Sequence, residues 1–384
     1  MNIALCLEYR IGEAGGVSVL VSTLIRELAA DHRIVLVSAD DPTSIAASKV
    51  AGLVQKHILW SPLNDTRAAA ETLADEMARA GVDLAHFHFG ANFAWNNRLP
   101  ARCPIPTLAR RGVPVVTTIH MAVGLLHGYC GPQKPFLFKL GLLPFAWVNK
   151  LRVLGHVRRE IAVSRQDYGR LRRWYWPVRE KFSHIYHSRI QSAGDAPSQS
   201  ARDRIILGVG HIAQRKGQQI LAEAFALVAK KYPDWKLMLA GHAVEPACFR
   251  ELERIAARTP GQIELTGPRD DTPELMRRAA IFVQPSFHEG LPLSLQEALH
   301  HGCACVATEI PGNTELVNAG RNGLLVPPGN VPAMASALEQ LINDPRLREK
   351  ISIAGAETVS SLGMTAARMA AKHREIYASI LSQT

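Results

Sequence analysis

C-x-x-C pairs, long apolar runs and low-complexity tracts are all missing from this chain of 384 residues. Without C-x-x-C pairs, the six scattered cysteines argue against a zinc site and against a disulfide framework. The chain begins MNIALCLEYR, and no basic segment precedes its short apolar run, so we expect neither a signal peptide nor a transmembrane helix. No nucleic-acid motif accompanies the net charge of +10, so we expect no nucleic-acid partner. These absences predict a cytoplasmic protein with reduced thiols.

The positive charge is concentrated in residues 134–189. This segment holds 13 basic and 3 acidic side chains, a net charge of +10, and it contains Trp147, Trp174 and Trp176. Basic charge mixed with tryptophan suits an anionic membrane surface, where rings lie at headgroup level and cations meet lipid phosphates. A solvated basic face over buried aromatic residues explains the pattern equally well. The sequence thus leaves open whether the protein binds peripherally to the inner face of the cell membrane.

Segments typical of strands alternate with segments typical of helices through both halves of the chain. The alternation indicates parallel sheets with crossover helices, and a chain of this length exceeds the usual size of one core. We therefore predict an α/β fold with two doubly wound, Rossmann-like domains, residues 1–190 and 204–364, joined by a polar linker at 191–203. Residues 365–384 are predicted to form a helix that packs back on the first domain. The predicted strands cover 2–7, 33–39, 83–89, 114–120 and 160–164 in the first half, and 204–210, 236–241, 263–267, 280–286, 304–309 and 323–327 in the second.

One glycine motif in the second half admits two interpretations. Gly208-Val-Gly210-His-Ile-Ala213 follows a strand and fits a loose dinucleotide-binding fingerprint. The next strand, however, ends in Leu239-Ala-Gly-His242, without the acidic residue that would bind a ribose. Lys216 lies where the loop becomes a helix, and a cation at that place suits a phosphate. A redox cofactor is therefore the weaker interpretation.

A set of short motifs resembles those of the retaining glycosyltransferases of family 4. The resemblance is specific over most of residues 204–330 and looser in the first half. It implies the GT-B fold, in which two Rossmann-like domains face each other across a cleft, and a metal-independent sugar transfer that needs no cofactor. In agreement with that, the sequence contains no Asp-x-Asp motif. The matching residues are Gly210, Lys216-Gly217, Pro285-Ser286, Glu289-Gly290, Glu297-Ala298, Gly302, Thr308, Gly312, Glu315-Leu316 and 322–326, with Gly15-Gly16, His86, His88, 118–120 and 161–164 in the first half.

The stretch HEGLPLSLQEALHHG, residues 288–302, carries two glutamates with different predicted roles. Glu289 precedes a turn and a helix, where its carboxylate can accept hydrogen bonds from sugar hydroxyls, and the resemblance places it against the donor sugar. The resemblance assigns Glu297 to the ribose hydroxyls of the donor. A local interpretation competes with that role, because Ser294-Leu-Gln-Glu297 is also an S-x-x-E capping box.

A departing nucleoside diphosphate needs positive charge or amide dipoles around it. Lys216 supplies a cation, and the backbone amides at the start of the helix after Gly290 supply donors. The resemblance also places His120 beside the donor sugar. Where the family usually has an arginine, this chain has His211, so either Arg215 takes over, or His211 is protonated beside the phosphate, or donor activation is weakened. The predicted catalytic residues are His120 and Glu289, the predicted donor-binding residues are Gly16, His211, Arg215, Lys216, Gly290, Leu291, Pro292, Leu293 and Glu297, and no metal ligand is predicted.

These motifs predict a retaining, metal-independent hexosyltransferase. It would move a sugar from a nucleotide-diphosphate sugar to a glycan or lipid-linked acceptor, in the synthesis of cell-envelope polysaccharide or lipopolysaccharide. Two other functions stay open: a non-catalytic nucleotide-sugar-binding protein, with His211 as a first sign of lost activity, and a nucleotide-sugar epimerase on the same fold. His86 and His88 fit strand-end packing as well as they fit the family pattern, so neither is counted among the predicted site residues.

Overall fold

The computed structural model describes residues 1–11, 15–61, 64, 66–91, 103–123, 136–191 and 198–383. Contacts divide the chain into two compact units, one formed by Met1–Arg189 with Thr365–Thr384 and the other by Ile190–Met364. Part of the predicted linker, residues 192–197, lies outside the described residues, as do residues 134 and 135 of the basic segment. The end of the predicted linker packs inside the second unit, where the buried Gln199 donates from Nε2 to the carbonyl oxygen of Gly302 at 2.7 Å.

The first unit is built on a parallel sheet of seven described strands in the order β3-β2-β1-β4-β5-β6-β7. The chain starts in the middle of the sheet and winds first to one edge and then to the other, so the order of strands reverses between β1 and β4. The strands are β1 (Asn2–Leu7), β2 (Arg33–Ser38), β3 (Val54–Leu59), β4 (Leu84–Phe89), β5 (Val115–Ile119), β6 (Arg159–Ala162) and β7 (Phe182–His184), and the described helices that accompany them are α1 (Gly16–Leu28), α2 (Pro42–Ala46), α3 (Arg67–Arg79), α4 (Ile105–Arg110), α5 (Phe136–Gly155) and α6 (Arg165–Trp174).

The second unit repeats this plan with six described parallel strands in the order β10-β9-β8-β11-β12-β13. The reversal of strand order here falls between β8 and β11. The elements are β8 (Asp203–Val209), α7 (Gln218–Val228), β9 (Lys236–Ala240), α8 (Pro246–Ala257), β10 (Ile263–Gly267), α9 (Thr272–Arg278), β11 (Ala279–Gln284), α10 (Leu293–His300), β12 (Ala304–Thr308), α11 (Asn313–Leu316), β13 (Leu324–Val326), α12 (Val331–Asn343) and α13 (Pro345–Ser361), after which α14 (Ala366–Leu381) returns to the first unit.

Apolar strands explain why both sheets are buried on two faces. All six residues of β4, LAHFHF, and all six of β11, AAIFVQ, are buried. Such continuous burial is typical of parallel strands that are covered by helices on both sides. The predicted α/β architecture with two Rossmann-like sheets is therefore confirmed. Two strands, β3 and β7, were not predicted, and both lie at an edge of the first sheet.

A buried ion pair fixes α5 on the first sheet. Lys150 on α5 donates from Nζ to Oε2 of Glu160 on β6 at 2.9 Å, and both side chains have no exposed surface. Thr117 on β5 donates from Oγ1 to the same carboxylate oxygen at 2.9 Å. A buried charge is tolerated only where it is paired and hydrogen-bonded. The pair therefore determines which face of α5 points toward the core.

The last helix, α14, packs on the first unit. Arg374 donates from Nε to Oδ2 of Asp31 at 2.8 Å and from Nη2 to the carbonyl oxygen of Glu27 at 2.6 Å. His373 and Tyr377, one turn apart on α14, are both fully buried. Within the described part of the chain, no helix combines the length and the apolar character that crossing a bilayer requires.

Candidate functional site

The predicted donor-binding residues of the second unit lie at the carboxyl ends of β8 and β11. These two strands are neighbours, and the strand order reverses between them. Ligands bind open parallel sheets at such a reversal, because the loops that follow the two strands diverge to opposite faces and leave a crevice. The loop 210–217 follows β8 and the loop 285–292 follows β11. Together they form what we call the β8–β11 crevice.

Backbone and side-chain hydrogen bonds hold the loop after β8 in place. Gln218, the first residue of α7, donates from Nε2 to the carbonyl oxygens of His211 at 2.7 Å and Gly210 at 3.3 Å. Gly217 has a left-handed conformation with φ of 67°, and a Cβ there would lie 2.2 Å from the carbonyl oxygen of Pro285. Only glycine fits this position, which presses the loop after β8 against the loop after β11. Lys216, directly before it, is thereby brought next to the residues that follow β11.

Glu289 is the centre of a dense hydrogen-bond network. Its Oε1 accepts from Nζ of Lys216 at 2.7 Å, from Oγ of Ser286 at 2.7 Å and from Nε2 of Gln284 at 3.0 Å. Its Oε2 lies 3.7 Å from Nη1 of Arg215. The Glu289 side chain is only 8% exposed. Such a network fixes the orientation of the carboxylate before any ligand arrives.

The neighbours of Glu289 keep its carboxylate ionised. Burial alone raises the pKa of Glu289, but the charges of Lys216 and Arg215, together with hydrogen bonds from Lys216 and Ser286, more than offset this effect. The net result is a pKa below the ordinary value of a glutamate. Glu289 can therefore only accept hydrogen bonds at neutral pH, which suits sugar hydroxyls as partners.

Lys216 and Arg215 give the crevice an excess of positive charge over Glu289. A lysine ammonium has three N–H donors, and the bond to Glu289 uses one of them. The Lys216 side chain is 17% exposed, so part of it still reaches solvent. Arg215 donates from Nη1 to the carbonyl oxygen of His288 at 3.0 Å and keeps 44% of its side chain exposed. Two cations beside one carboxylate can attract a diphosphate.

The helix α10 begins at Leu293, with Pro292 as its N-cap and no side-chain capping bond. Ser294 lies inside the helix, and its Oγ donates to Oε1 of Gln284 at 2.9 Å. The capping-box interpretation of Ser294 and Glu297 is therefore wrong, because the proline that precedes Leu293 shifts the helix start ahead of the serine. Glu297 itself is buried, with 6% exposure. Its assignment to a ribose stays a prediction.

The turn at Gly290 is packed from the other side by the loop after β12. Gly312 has φ of 87°, and a Cβ there would lie 2.5 Å from the carbonyl oxygen of Gly290. Thr308, the last residue of β12, donates from Oγ1 to the carbonyl oxygen of Ser286 at 2.5 Å. Asn313 donates from Nδ2 to Oγ1 of Thr308 at 3.0 Å. These contacts fix the backbone that carries Gly290, Leu291, Pro292 and Leu293.

His211 follows Gly210, and its ring meets that of His242 edge-on with 6.2 Å between the centroids. Position 211 has no guanidinium, but Nη1 of Arg215 lies 3.7 Å from Oε2 of Glu289, so the crevice contains one. Of the three alternatives for position 211, this arrangement favours Arg215 as the partner of an anion.

The other two predicted site residues, Gly16 and His120, belong to the first unit. Gly16 is the first residue of α1, and a Cβ added to it would meet no atom of the described residues within 4 Å. Packing in the described part of the first unit therefore does not require glycine at this position. His120 directly follows β5, and its backbone N–H donates to the carbonyl oxygen of Phe89 at 2.9 Å.

His120 is half-buried and belongs to a group of five histidines, of which the other four are buried. We call this group the histidine cluster. Its Nε2 lies 3.3 Å from Nδ1 of His88, and its ring centroid is 5.3 Å from that of His187. Burial lowers the pKa of His120 to about 3. Its imidazole is therefore neutral at physiological pH and can exchange hydrogen bonds without carrying charge. The members of the cluster are His86, His88, His120, His187 and His373.

Three residues of the β8–β11 crevice are not among the site residues predicted from the sequence: Gln284, Ser286 and Ser294. Gln284 ends the apolar strand β11, and a polar residue at the carboxyl end of a buried parallel strand is a signal that could have identified it.

The first unit also has a polar residue at the carboxyl end of a buried strand. Glu8 follows β1 and accepts from the backbone N–H of Gly90 at 3.0 Å. Burial raises the pKa of the Glu8 carboxyl, although the bond from Gly90 opposes this.

A surface cavity of about 480 Å³ in the second unit lies away from the crevice. It is lined by residues such as Arg202, Arg204 and Trp235, which precede or begin β8 and β9. This end of the sheet carries the amino ends of the strands, where open parallel sheets do not bind their ligands.

Among the described residues, no group of three or more His, Cys, Asp or Glu side chains is arranged to hold a metal ion.

Two family models match this chain. The model described as Glycosyltransferase Family 4 matches residues 14–188. The model described as Glycosyl transferases group 1 matches residues 203–344. The matched ranges coincide with the greater part of each unit.

Curated relatives are similar mostly over part of their length. An uncharacterised glycosyltransferase of Haemophilus influenzae is 33% identical over 151 residues, which are 39% of this chain and 42% of that protein. The alpha-D-kanosaminyltransferase of Streptomyces kanamyceticus is 26% identical over 282 residues, 69% of this chain and 71% of that protein. A lipopolysaccharide core biosynthesis glycosyltransferase of Rhizobium meliloti is 28% identical over 175 residues, 46% of this chain and 48% of that protein. The chain thus spans less than half the length of two of these relatives.

Solved structures match the whole chain. Sucrose-phosphate synthase from Thermosynechococcus elongatus has a TM-score of 0.78 at 20% identity and covers 100% of both chains. A glycosyltransferase from Rickettsia africae has a TM-score of 0.76 at 18% identity, covering 100% of this chain and 99% of that one. The HepE protein of Anabaena in complex with UDP has a TM-score of 0.75 at 18% identity, covering 99% of this chain and 100% of that one. At these identities the similarity shows the fold alone.

Proposed function

We propose that this chain, which belongs to the family 4 glycosyltransferases of the GT-B fold, transfers a sugar from a nucleoside diphosphate sugar. The acceptor of the sugar is a hydroxyl group of a glycan or of a lipid-linked molecule. The observation that carries the proposal is the geometry of Glu289. An ionised carboxylate, preorganised by Ser286 and Gln284, lies beside the cation of Lys216 at the carboxyl ends of β8 and β11. The sugar hydroxyls of a nucleoside diphosphate sugar can donate to this carboxylate, and its diphosphate can bind the lysine ammonium.

We assign the diphosphate to the positive side of the crevice. In the transfer step the bond between the anomeric carbon and the diphosphate oxygen breaks, and negative charge develops on the departing phosphate. Lys216 and Arg215 stabilise that charge, helped by the backbone amides at the start of α10. The described residues therefore supply the leaving group with fixed positive charge of their own.

We further propose that the reaction proceeds with retention of configuration. The acceptor oxygen bonds to the anomeric carbon on the face that the phosphate leaves, and the acceptor proton passes to a departing phosphate oxygen. Glu289 holds the sugar through its hydroxyls, since its lowered pKa leaves it without a proton to donate. We assign His120 a hydrogen-bonding role, because a pKa of about 3 keeps its imidazole neutral.

Uridine diphosphate is the proposed leaving group. The support comes from HepE of Anabaena, which shares the fold and whose structures contain UDP, UDP with glucose, and UDP-glucose. For the acceptor, the lipopolysaccharide core glycosyltransferase of Rhizobium meliloti supports a lipid-linked glycan of the cell envelope.

Binding of UDP should raise the melting temperature of the protein by about 5 °C or more at a hundredfold excess over Kd. A ligand that binds only the folded state adds about 2.7 kcal/mol at that concentration, and 1 kcal/mol moves the melting temperature by roughly 2–4 °C for units of this size. Differential scanning fluorimetry with UDP, GDP, ADP and TDP measures the shift and identifies the base.

Two variants connect this shift to the crevice. Lys216→Met should abolish it, because the ammonium that meets the diphosphate is lost. Lys230→Met, which changes an exposed lysine of the same unit, should leave it unchanged. The donor assignment is overturned if none of the four diphosphates shifts the wild-type melting temperature, or if Lys216→Met responds as wild type does.

A further inference from the structure

The outward face of α5 is apolar, which is unusual for a helix on a protein surface. Leu137 is 78% exposed, Phe145 50%, Leu140 48% and Val148 39%. At 3.6 residues per turn these four positions fall on one side of the helix, and Pro144, also exposed, lies among them. We call this set the α5 stripe. Contiguous exposed apolar side chains of this kind mark interaction surfaces.

The inward face of α5 explains why the stripe cannot turn away from solvent. Ala146, Val153 and Leu154 pack into the core, and Lys150 on the same face is locked to Glu160 without any exposed surface. Rotation of α5 to bury the stripe would unpair this charge in the protein interior, which is strongly unfavourable. The apolar stripe is therefore a fixed property of the surface.

Basic residues lie next to the stripe. Trp147, on the helix turn between Ala146 and Val148, donates from Nε1 to the carbonyl oxygen of Trp174 at 2.6 Å, so the end of α6 is held against α5. The exposed Arg172 and Arg173 are in the last turn of α6, and Trp176, just beyond it, is 67% exposed. Cations and a tryptophan thus border the apolar side chains.

The acidic residues of the same segment do not neutralise this charge. Residues 136–189 contain three acids, Glu160, Asp167 and Glu180. Glu160 is buried with Lys150, and Asp167 is buried and accepts from the backbone N–H of Ala122 at 2.9 Å. Only Glu180 of the three is exposed. The described part of this segment therefore exposes many more basic than acidic side chains.

We infer that the α5 stripe and the basic end of α6 bind the surface of an anionic lipid bilayer. Leu137, Leu140, Phe145 and Val148 enter the boundary between headgroups and acyl chains, Trp176 lies at headgroup level, and Arg172 and Arg173 meet lipid phosphates. A second copy of this chain is a poorer occupant, because a two-fold contact through this surface would bring like charges together. The inference narrows the proposed acceptor to a lipid-linked one, and only that step rests on the proposed function.

Cosedimentation with vesicles tests the inference. The full-length protein should sediment with vesicles of phosphatidylcholine and phosphatidylglycerol at low salt, and not with vesicles of phosphatidylcholine alone. The triple variant Leu137→Ser/Leu140→Ser/Phe145→Ser should partition about ten-fold more weakly, because the apolar part of the contact is lost. Arg172→Gln/Arg173→Gln should weaken binding to a similar degree and make it less sensitive to salt.

A matched control removes equally exposed apolar side chains elsewhere. Leu227 is 65% exposed on α7 and Ile353 is 52% exposed on α13, both in the second unit, so Leu227→Ser/Ile353→Ser should bind vesicles as wild type does. Unchanged melting temperatures show that the variants are folded. Because vesicle binding is measured without a nucleotide, it can succeed or fail independently of UDP binding.

Three outcomes would overturn the inference. The first is a wild-type protein that does not sediment with anionic vesicles at low salt. The second is a triple variant that binds them as tightly as wild type. The third is a concentration-dependent dimer, seen by sedimentation velocity, that the triple variant abolishes while vesicle binding is absent, since the stripe would then serve self-association.

Discussion

Replacement of Glu289 by alanine should lower the rate of sugar transfer by about 10²–10³-fold, the loss typical for removal of one preorganised electrostatic partner. In the structure the carboxylate is fixed by Ser286, Gln284 and Lys216 before a ligand binds. Without it, the sugar hydroxyls lose their acceptor, and Lys216 loses the group that orients its ammonium. The measurement is release of UDP that depends on an added acceptor, followed at saturating donor.

Two further variants separate charge from shape. Glu289→Gln retains an oxygen that can accept from Ser286, but it lacks the charge that pairs with Lys216, so its transfer rate should also fall. Glu264→Ala, which changes an exposed glutamate on β10, should retain the wild-type rate. Full activity in Glu289→Ala would remove this residue from the site. Binding of UDP-sugar by the wild type without any turnover would favour a non-catalytic binding protein, and an isomerised sugar would indicate an epimerase.

The low pKa of Glu289 also affects how activity depends on pH. Because the charges of Lys216 and Arg215 outweigh burial, the carboxylate stays ionised below the pH at which an ordinary glutamate is protonated. Titration of Glu289 should therefore not limit activity in mild acid. We expect acid sensitivity to arise instead from the histidine cluster of the first unit, through its effect on stability.

The sequence predicted the central strands of both sheets well and the edges less well. Apolar runs such as NIALCL and AIFVQ are typical of buried strands, and the structure places them in β1 and β11. VQKHIL, which forms β3, has charged and polar residues because an edge strand keeps one side open to solvent. β7 has only three residues, FSH, which is too short for a periodic signal.

In the candidate site, too, residues in local sequence motifs could be predicted, whereas residues that join the site through tertiary contacts could not. The resemblance predicted Glu289 and Lys216 as site residues, because both occur in short contiguous motifs. Gln284 and Ser294 became visible only with the fold, because the bond between them joins a strand end to a helix ten residues later. The cap interpretation of Ser294 is wrong for the same reason. A local pattern cannot reveal that the helix begins at Leu293, after the N-cap Pro292, or that Ser294 bonds to Gln284 at the end of β11.

The histidine cluster illustrates a feature that no local pattern predicts. His86 and His88 alternate along β4 and face α14, whereas Phe87 and Phe89 point to the opposite face and its apolar core. The phenol of Tyr377 on α14 lies 2.6 Å from Nδ1 of His86. Five histidines that lie far apart in the sequence are thereby brought together between the first sheet and α14. For His86 and His88, packing is thus the interpretation that the contacts support.

The first unit should lose stability steeply as the pH falls from 7 to 5. Burial, followed by the mutual repulsion of neighbouring histidines, lowers the pKa of His86 and His187 well below the usual value, and burial lowers that of His120 to about 3 and that of His373 to about 4. In the unfolded chain these groups titrate near pH 6.5, so between pH 6.5 and about 4 the unfolded state binds more protons than the native state. The contribution of these histidines to the free energy of unfolding is therefore fully present above pH 6.5 and is lost progressively below it.

The expected loss of stability is large because several histidines of the cluster titrate over the same pH range. His120 and His373 should each cost about 2 kcal/mol between pH 7 and pH 5, or about 4 kcal/mol for the two, out of a total stability that is usually 5–15 kcal/mol. Urea titrations at several pH values measure the change. Tryptophan fluorescence is a suitable signal, because five of the six tryptophans belong to the first unit.

His373→Gln provides the decisive variant. The side-chain amide can still donate to the carbonyl oxygen of Met369, which lies 2.8 Å from Nδ1 of His373, but it does not titrate. The free energy of unfolding of this variant should therefore fall by about 1.4 kcal/mol less per pH unit than that of wild type, the value of one proton, between pH 6 and pH 5. His242→Gln, an exposed histidine of the second unit, should keep the wild-type slope. Identical slopes for wild type and His373→Gln would show that α14 is not held by a neutral histidine cluster, and the acid sensitivity would then have to arise elsewhere.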